Sequence, residues 1–164
     1  MSNYQETCKL GKLGEEHVTR FLVETYGGNI IPFISKEEQR FCGDFCWKRS
    51  ETEKFFCEVK TEYEDKWENF FLEHWSNNLT KKVGWLQYSL ADFLFYYFLK
   101  DKKLYVLFLK EIQKWSYEQE NIFNFPLKKQ YKNEQQNESY GYCVPIDVFR
   151  QLGQSVGFLE INLV

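Results

Sequence analysis

From Phe55 to Thr61 the residues alternate in character, and no other feature constrains the fold as much. Successive side chains of an extended strand point to opposite sides. Phe55, Cys57, Val59 and Thr61 then share one largely apolar face, and Phe56, Glu58 and Lys60 share the other. Such a strand buries one face and gathers a carboxylate and an amine on the other. The polar run Lys48-Arg49-Ser50-Glu51-Thr52-Glu53 precedes it and predicts a turn. Residues 41–47 and 54–61 therefore read as the two strands of an antiparallel hairpin.

The flanking segments supply the rest of a domain. Leu10, Leu13, His17 or Val18, Phe21 and Leu22 recur near helical spacing, which predicts a helix over 5–25 ended by Gly27-Gly28-Asn29. Residues 29–34 suit a short strand and 35–40 a charged connection. Further strands are predicted at 69–75, 93–99 and 104–109, short helices at 85–90 and 111–118, and a polar loop at 76–84. Lys, Gln, Asn and Glu dominate 128–140, which reads as a linker. Strand, helix and strand follow at 142–146, 147–152 and 158–163. The order predicts an α/β fold with a mixed central β-sheet flanked by helices on both faces. The expected organisation is a core over 1–125 and, over 126–164, a polar linker with a strand–helix–strand extension packed on that core.

Composition narrows the class. At 164 residues one domain is expected, and 20% aromatic residues supply a large core. The net charge of −3 excludes a global electrostatic footprint for nucleic acid, so such a partner would need a local basic patch. Five irregularly spaced cysteines do not make a disulfide framework. Residues 1–10 carry no apolar segment of a signal peptide. The most apolar stretch, 90–99, is too short to span a bilayer and contains Asp92. A reduced, cytoplasmic protein with no membrane partner is expected.

The hairpin brings in a second acid. A turn centred near Ser50 and Glu51 sets Asp44 opposite, or nearly opposite, Glu58. Side chains so paired lie on one face with Cβ atoms about 4.5–5.5 Å apart. A one-residue slip would turn Asp44 away. Two adjacent carboxylates repel unless a cation sits between them. Mg²⁺ takes hard oxygen ligands, often one or two carboxylates, and Mn²⁺ is expected to substitute. Lys60 lies one step along the same face. It is placed to orient a water, help deprotonate it, or stabilise charge on a phosphate.

Asp44, thirteen residues, then Glu58-Val59-Lys60, preceded by a helix holding Glu15 and Glu16, resembles the PD-(D/E)XK nuclease superfamily. The resemblance covers roughly residues 10 to 110 and implies a restriction-endonuclease-like core. It implies that Asp44 and Glu58 hold the metal, with the Val59 carbonyl as third ligand, and that Lys60 is the catalytic lysine. Glu15, beside Gly14, matches the family's helix glutamate, with Glu16 as the fallback. Gly43 stands where the family more often has proline. The implied activity is Mg²⁺-dependent endonucleolytic hydrolysis of phosphodiester bonds in DNA. RNA is not separated from DNA by these residues. A homodimer is implied by analogy, since cutting both strands of a duplex needs two sites. The alternative is a catalytically inactive protein of nuclease fold that binds nucleic acid or a partner protein. Glu58 and Lys60 would then be an ordinary ion pair on a solvated sheet face.

Other residues carry weaker signals. Lys81, Lys82 and Trp85 combine charge and an aromatic ring in a way that suits a phosphate backbone and a stacked base, or else a solvated loop with a core Trp. Glu73 and His74 read as an extra acid and an auxiliary base, or as polar positions on an edge strand. His17 reads as a helix-surface or core-edge residue. Cys42, Cys46 and Cys57 read as small buried hydrophobes rather than zinc ligands. Lys100, Lys102 and Lys103 mark a turn, while Lys128, Lys129 and Lys132 offer a positive lobe. Asp92 reads as a cap. The run from Phe93 to Phe98 reads as core or as a dimer surface.

Overall fold

The computed structural model describes residues 3–131 and 138–163. It is a mixed α/β structure built on two sheets. Helix α1 (Asn3–Tyr26) leads into β1 (Asn29–Pro32), α2 (Lys36–Cys42), β2 (Phe45–Lys48) and β3 (Lys54–Glu62). Next come β4 (Asn69–Asn77), β5 (Lys82–Val83), α3 (Trp85–Tyr88), β6 (Phe93–Phe98), β7 (Lys103–Phe108) and α4 (Leu109–Gln113). The chain closes with β8 (Leu127–Tyr131), β9 (Glu138–Pro145), α5 (Ile146–Leu152) and β10 (Leu159–Asn162). One sheet has the order β1-β2-β3-β6-β7-β10 and the other β5-β4-β9-β8.

The first sheet is mixed, because β3 pairs antiparallel with β2 and parallel with β6. A parallel pair needs a long crossover, and β4, β5 and α3 form it. The alternation along β3 sorts its side chains as expected. Cys57 and Val59 pack under Val18 and Leu22 of α1 with Phe45, Phe95 and Tyr97. The close approach of α1 depends on Gly14, where a Cβ would lie 1.8 Å from Thr61 Oγ1. Strand β6 is buried on both faces, with Leu94, Tyr96 and Phe98 in one core and Phe95 and Tyr97 in the other. That explains its unbroken apolar run. It also makes the Phe93–Phe98 segment core, so this strand offers no dimer surface.

Several sequence expectations are corrected. Residues 35–40 are not a plain connection, and the hairpin does not begin at Phe41. Ser35 caps α2 and accepts the Glu38 N–H, while the Glu38 carboxylate returns to the Ser35 N–H. This reciprocal box satisfies two orphan donors at the start of a seven-residue helix. The polar segment read as a linker from Lys128 contains β8 and part of β9, and Lys132 lies outside the described residues. β9 pairs with β4 from Asn69↔Pro145 to Trp75↔Tyr140, so the chain after residue 125 is woven into the fold. Residues 69–75, expected in the central sheet, instead form β4 at the heart of the second one. Helices therefore share the second face of the main sheet with the smaller sheet. α1 covers one face, and β4, β9 and the short helices pack on the other around Phe70, Leu72, Leu86 and Phe149. No helix among the described residues is long and apolar enough to cross a membrane.

Candidate active site

Glu58 and Lys60 project from the face of β3 opposite α1, as the period of two requires. Glu58 is 5% exposed, and Lys60 Nζ lies 2.5 Å from its Oε1. The same ammonium stands 5.2 Å from the centre of the Trp85 ring, a cation–π distance.

Asp44 enters from the head of β2. The register Phe45↔Cys57 makes Asp44 the next residue outward, level with Glu58. Its N–H donates to the Cys57 carbonyl at 2.8 Å, and its Oδ2 accepts the Val59 N–H at 2.7 Å. The carboxylate thus lies along the edge of β3. N–H and C=O of one strand residue point to the same edge, so the Val59 carbonyl also turns toward Asp44. Gly43 makes this turn possible. Its φ is 98°, and a Cβ there would sit 2.4 Å from the Cys57 carbonyl oxygen. Proline, locked near −65°, cannot replace it.

Glu15 arrives from α1. Gly14 brings that helix against Thr61, and Glu15 then lines a cleft of about 820 Å³ with Asp44, Glu58, Val59 and Lys60. Glu16 is exposed and does not line this cleft. It borders only the smaller space between α1 and Asp44. The helix carboxylate at the site is therefore Glu15.

The electrostatics are those of crowded acids around one ammonium. Burial pushes the Asp44 carboxyl above its usual range, opposed by Lys60 and the Val59 N–H and reinforced by Glu15. Burial likewise raises Glu58, opposed by Lys60 and reinforced by Asp44 and Glu73. Glu15 is raised by burial, with Lys60 opposing. Burial alone would lower Lys60, but Glu58 and Asp44 outweigh it and hold the ammonium well above its ordinary value.

The remaining candidates separate. Glu73, 4% exposed, lines the same cleft from β4. His74 alternates to the other face, where its Nδ1 meets the Tyr117 hydroxyl at 2.8 Å. His17 meets the Tyr97 hydroxyl, away from the acids. Lys82 borders the cleft, whereas Lys81 turns aside to Asn78 and the Trp75 ring. Trp85 is 6% exposed and belongs to the core, so it is a wall behind Lys60 rather than an open stacking platform. Cys46 and Cys57 are buried, and burial raises both thiols.

Sequence reading missed Lys36 and Arg40 of α2, which bring two cations to the cleft. The signal was present in Ser35-Lys36-Glu37-Glu38, a capping box that places both residues on one short helix.

Among the described residues no three His, Cys, Asp or Glu side chains are grouped as a ready metal cage. The donors present are the Asp44 and Glu58 carboxylates and the Val59 carbonyl, all hard oxygens. They fit a cation that keeps several waters, and such a cation would relieve the repulsion between the two acids. No family model, curated protein or solved structure matches the chain.

Proposed function

We propose that the chain is a metal-dependent nuclease with a restriction-endonuclease-like core that hydrolyses phosphodiester bonds in DNA. One observation carries the reading. Asp44, Glu58, Lys60 and Glu15 come from three separate elements to one cleft, whose border adds the cations Lys36, Arg40 and Lys82. Asp44, Glu58 and the Val59 carbonyl would hold Mg²⁺, or Mn²⁺ in its place, which would supply charge neutralisation and activation of water when bound. Glu15 adds negative charge beside Asp44 and orients what binds there. Lys60, held protonated by Glu58 and Asp44, is suited to neutralise charge growing on the phosphate rather than to accept a proton. Lys36, Arg40 and Lys82 suit the flanking phosphates, which position a strand without reading its sequence.

The test is cleavage of duplex, single-stranded and branched DNA, and of RNA, with Mg²⁺ and with EDTA. Divalent-dependent cutting that Lys60→Met and Asp44→Asn abolish is expected. Cutting that survives both substitutions removes the assignment. The Glu58–Lys60 ion pair favours a second reading, a protein of this fold that binds without cutting, because the pair is neutral by itself. Mn²⁺ titration followed by electron paramagnetic resonance separates the two: saturable binding lost in Asp44→Asn supports the enzyme.

A further inference from the structure

A second cleft, of about 720 Å³, opens beside the first and shares Glu62 and Phe71, together with Gln130, with it. Its floor is the open face of the smaller sheet. On β4 the alternation that buries Phe70 and Leu72 turns the half-buried Phe71 to the other face, while Glu73 on that face stays buried along the first cleft. Across the sheet, Lys128 and Gln130 of β8 lie on the same open face, both exposed. Gly141 of β9 keeps the middle flat, because a Cβ there would stand 2.7 Å from the Phe71 ring.

Two further rings line this cleft. Phe125 is half-buried, and Trp67, on the loop between β3 and β4, is 74% exposed. An indole so exposed contributes little to the core, which leaves its flat face for a ligand. Lys66 Nζ lies 5.1 Å from the Trp67 ring centre, and Lys128 adds a second cation. At the junction Glu62 accepts a hydrogen bond from the Tyr96 hydroxyl.

Aromatic faces interleaved with cations bind nucleic acid whose bases are free to stack, and a paired duplex hides those faces. The cleft runs directly into the one that holds Asp44, Glu58 and Lys60. We propose that the second cleft is the path of an unpaired DNA strand, so that the substrate carries unpaired nucleotides next to the bond that is cut. This rests on the nuclease reading only for the word "cut"; the binding stands or falls separately.

The experiment is fluorescence anisotropy in EDTA, with a short fluorescein-labelled blunt DNA duplex and the same duplex carrying a single-stranded overhang. The overhang is expected to bind at least about fivefold more tightly, the lower end of one stacked base. Trp67→Ala should abolish that difference, Trp67→Phe should restore most of it, and Lys128→Ala should reduce it. Leu159→Ala, a half-exposed side chain at the edge of the other sheet, is the control. Equal affinity for the two probes, or a preference that survives Trp67→Ala, overturns the proposal. A Trp67-dependent preference without any cleavage would sink the nuclease reading and leave this one standing. Cleavage dependent on Lys60 with no overhang preference would do the reverse.

Discussion

Asp44 and Asp92 are the same device placed on the two flanks of β3. Each stands immediately before a neighbouring strand, Asp44 before β2 and Asp92 before β6. Each accepts a β3 backbone N–H through Oδ2, from Val59 at 2.7 Å and from Phe56 at 2.8 Å. Each donates its own N–H to a β3 carbonyl, Cys57 and Phe56 respectively, at 2.8 Å. What differs is the company. Asp92 is partly open to solvent, with Lys110 at 4.0 Å. Asp44 shares a cleft, and an electrostatic influence, with Glu15, Glu58 and Lys60. The clamp is scaffolding, which orders the start of a strand. On the proposed function, the chemistry lies in the second set of neighbours.

The sharpest way to break this comparison is to change the charge and keep the clamp. Asparagine still offers an oxygen to the β3 N–H. Asp44→Asn is therefore expected to lower the cleavage rate by at least about a hundredfold, since the contribution of a bound cation is worth several kcal/mol. Asp92→Asn should stay within about twofold, in line with a residue outside the reacting centre. Initial rates on one DNA substrate measure both. Equal losses would mean that the hydrogen bond, not the charge, supports activity.

Removing the clamp reverses the ranking. Asp92→Ala leaves the Phe56 N–H without its charged acceptor and should cost about 1.5–3 kcal/mol of stability. Asp44→Ala loses a similar bond but also removes a carboxylate whose charge is disfavoured by desolvation, so its cost should be smaller. Urea midpoints at neutral pH decide the order. A larger loss at Asp44 would show that its carboxylate is a net stabiliser, as a purely structural ion pair would be.

The same contrast explains what could be read in advance. Glu58, Lys60 and Asp44 were legible because the period of a strand and the length of a turn are local properties. Asp92 was legible as a cap for the same reason. β8 and β9 were not. Lys128, Lys129 and Gln130 lie opposite Gly141, Tyr140 and Ser139 on an outer strand pair, so their polarity matches that of a linker. Only pairing with β4 makes them a sheet, and no local pattern encodes that partner. Trp85 was legible only as a pair of alternatives, a stacking ring or a core Trp beside a solvated loop, and its ring closes the core behind Lys60.

A smaller effect tests how far Asp44's company extends. Glu15 shares its cleft and Glu16, one residue on, does not. Glu15→Gln is expected to reduce cleavage about tenfold, the low end for a group that supports metal ligands. Glu16→Gln should leave the rate unchanged. Rates taken at several Mg²⁺ concentrations separate the causes. A loss that high Mg²⁺ restores places Glu15 in cation binding. A loss that Mg²⁺ does not restore places it in orienting the substrate.

The smallest effect is a slope. The Asp44 and Glu58 carboxyls titrate above their ordinary values of 3.8 and 4.5 in the folded chain. Between the ordinary and the raised values, the folded chain holds protons that the unfolded chain has already released. Stability from these groups is then complete below the ordinary values and is lost as pH rises through the raised ones. In EDTA, the urea midpoint of the wild type should fall across that window more than the midpoint of Asp44→Asn. Mg²⁺ competes with those protons, so adding it should lift the wild-type midpoint more at high pH than at low pH. Asp44→Asn should lose most of that lift. If Asp44→Asn kept the wild-type pH slope and the wild-type response to Mg²⁺, Asp44 would be a clamp like Asp92, and the crowding of acids around Lys60 would have no functional consequence.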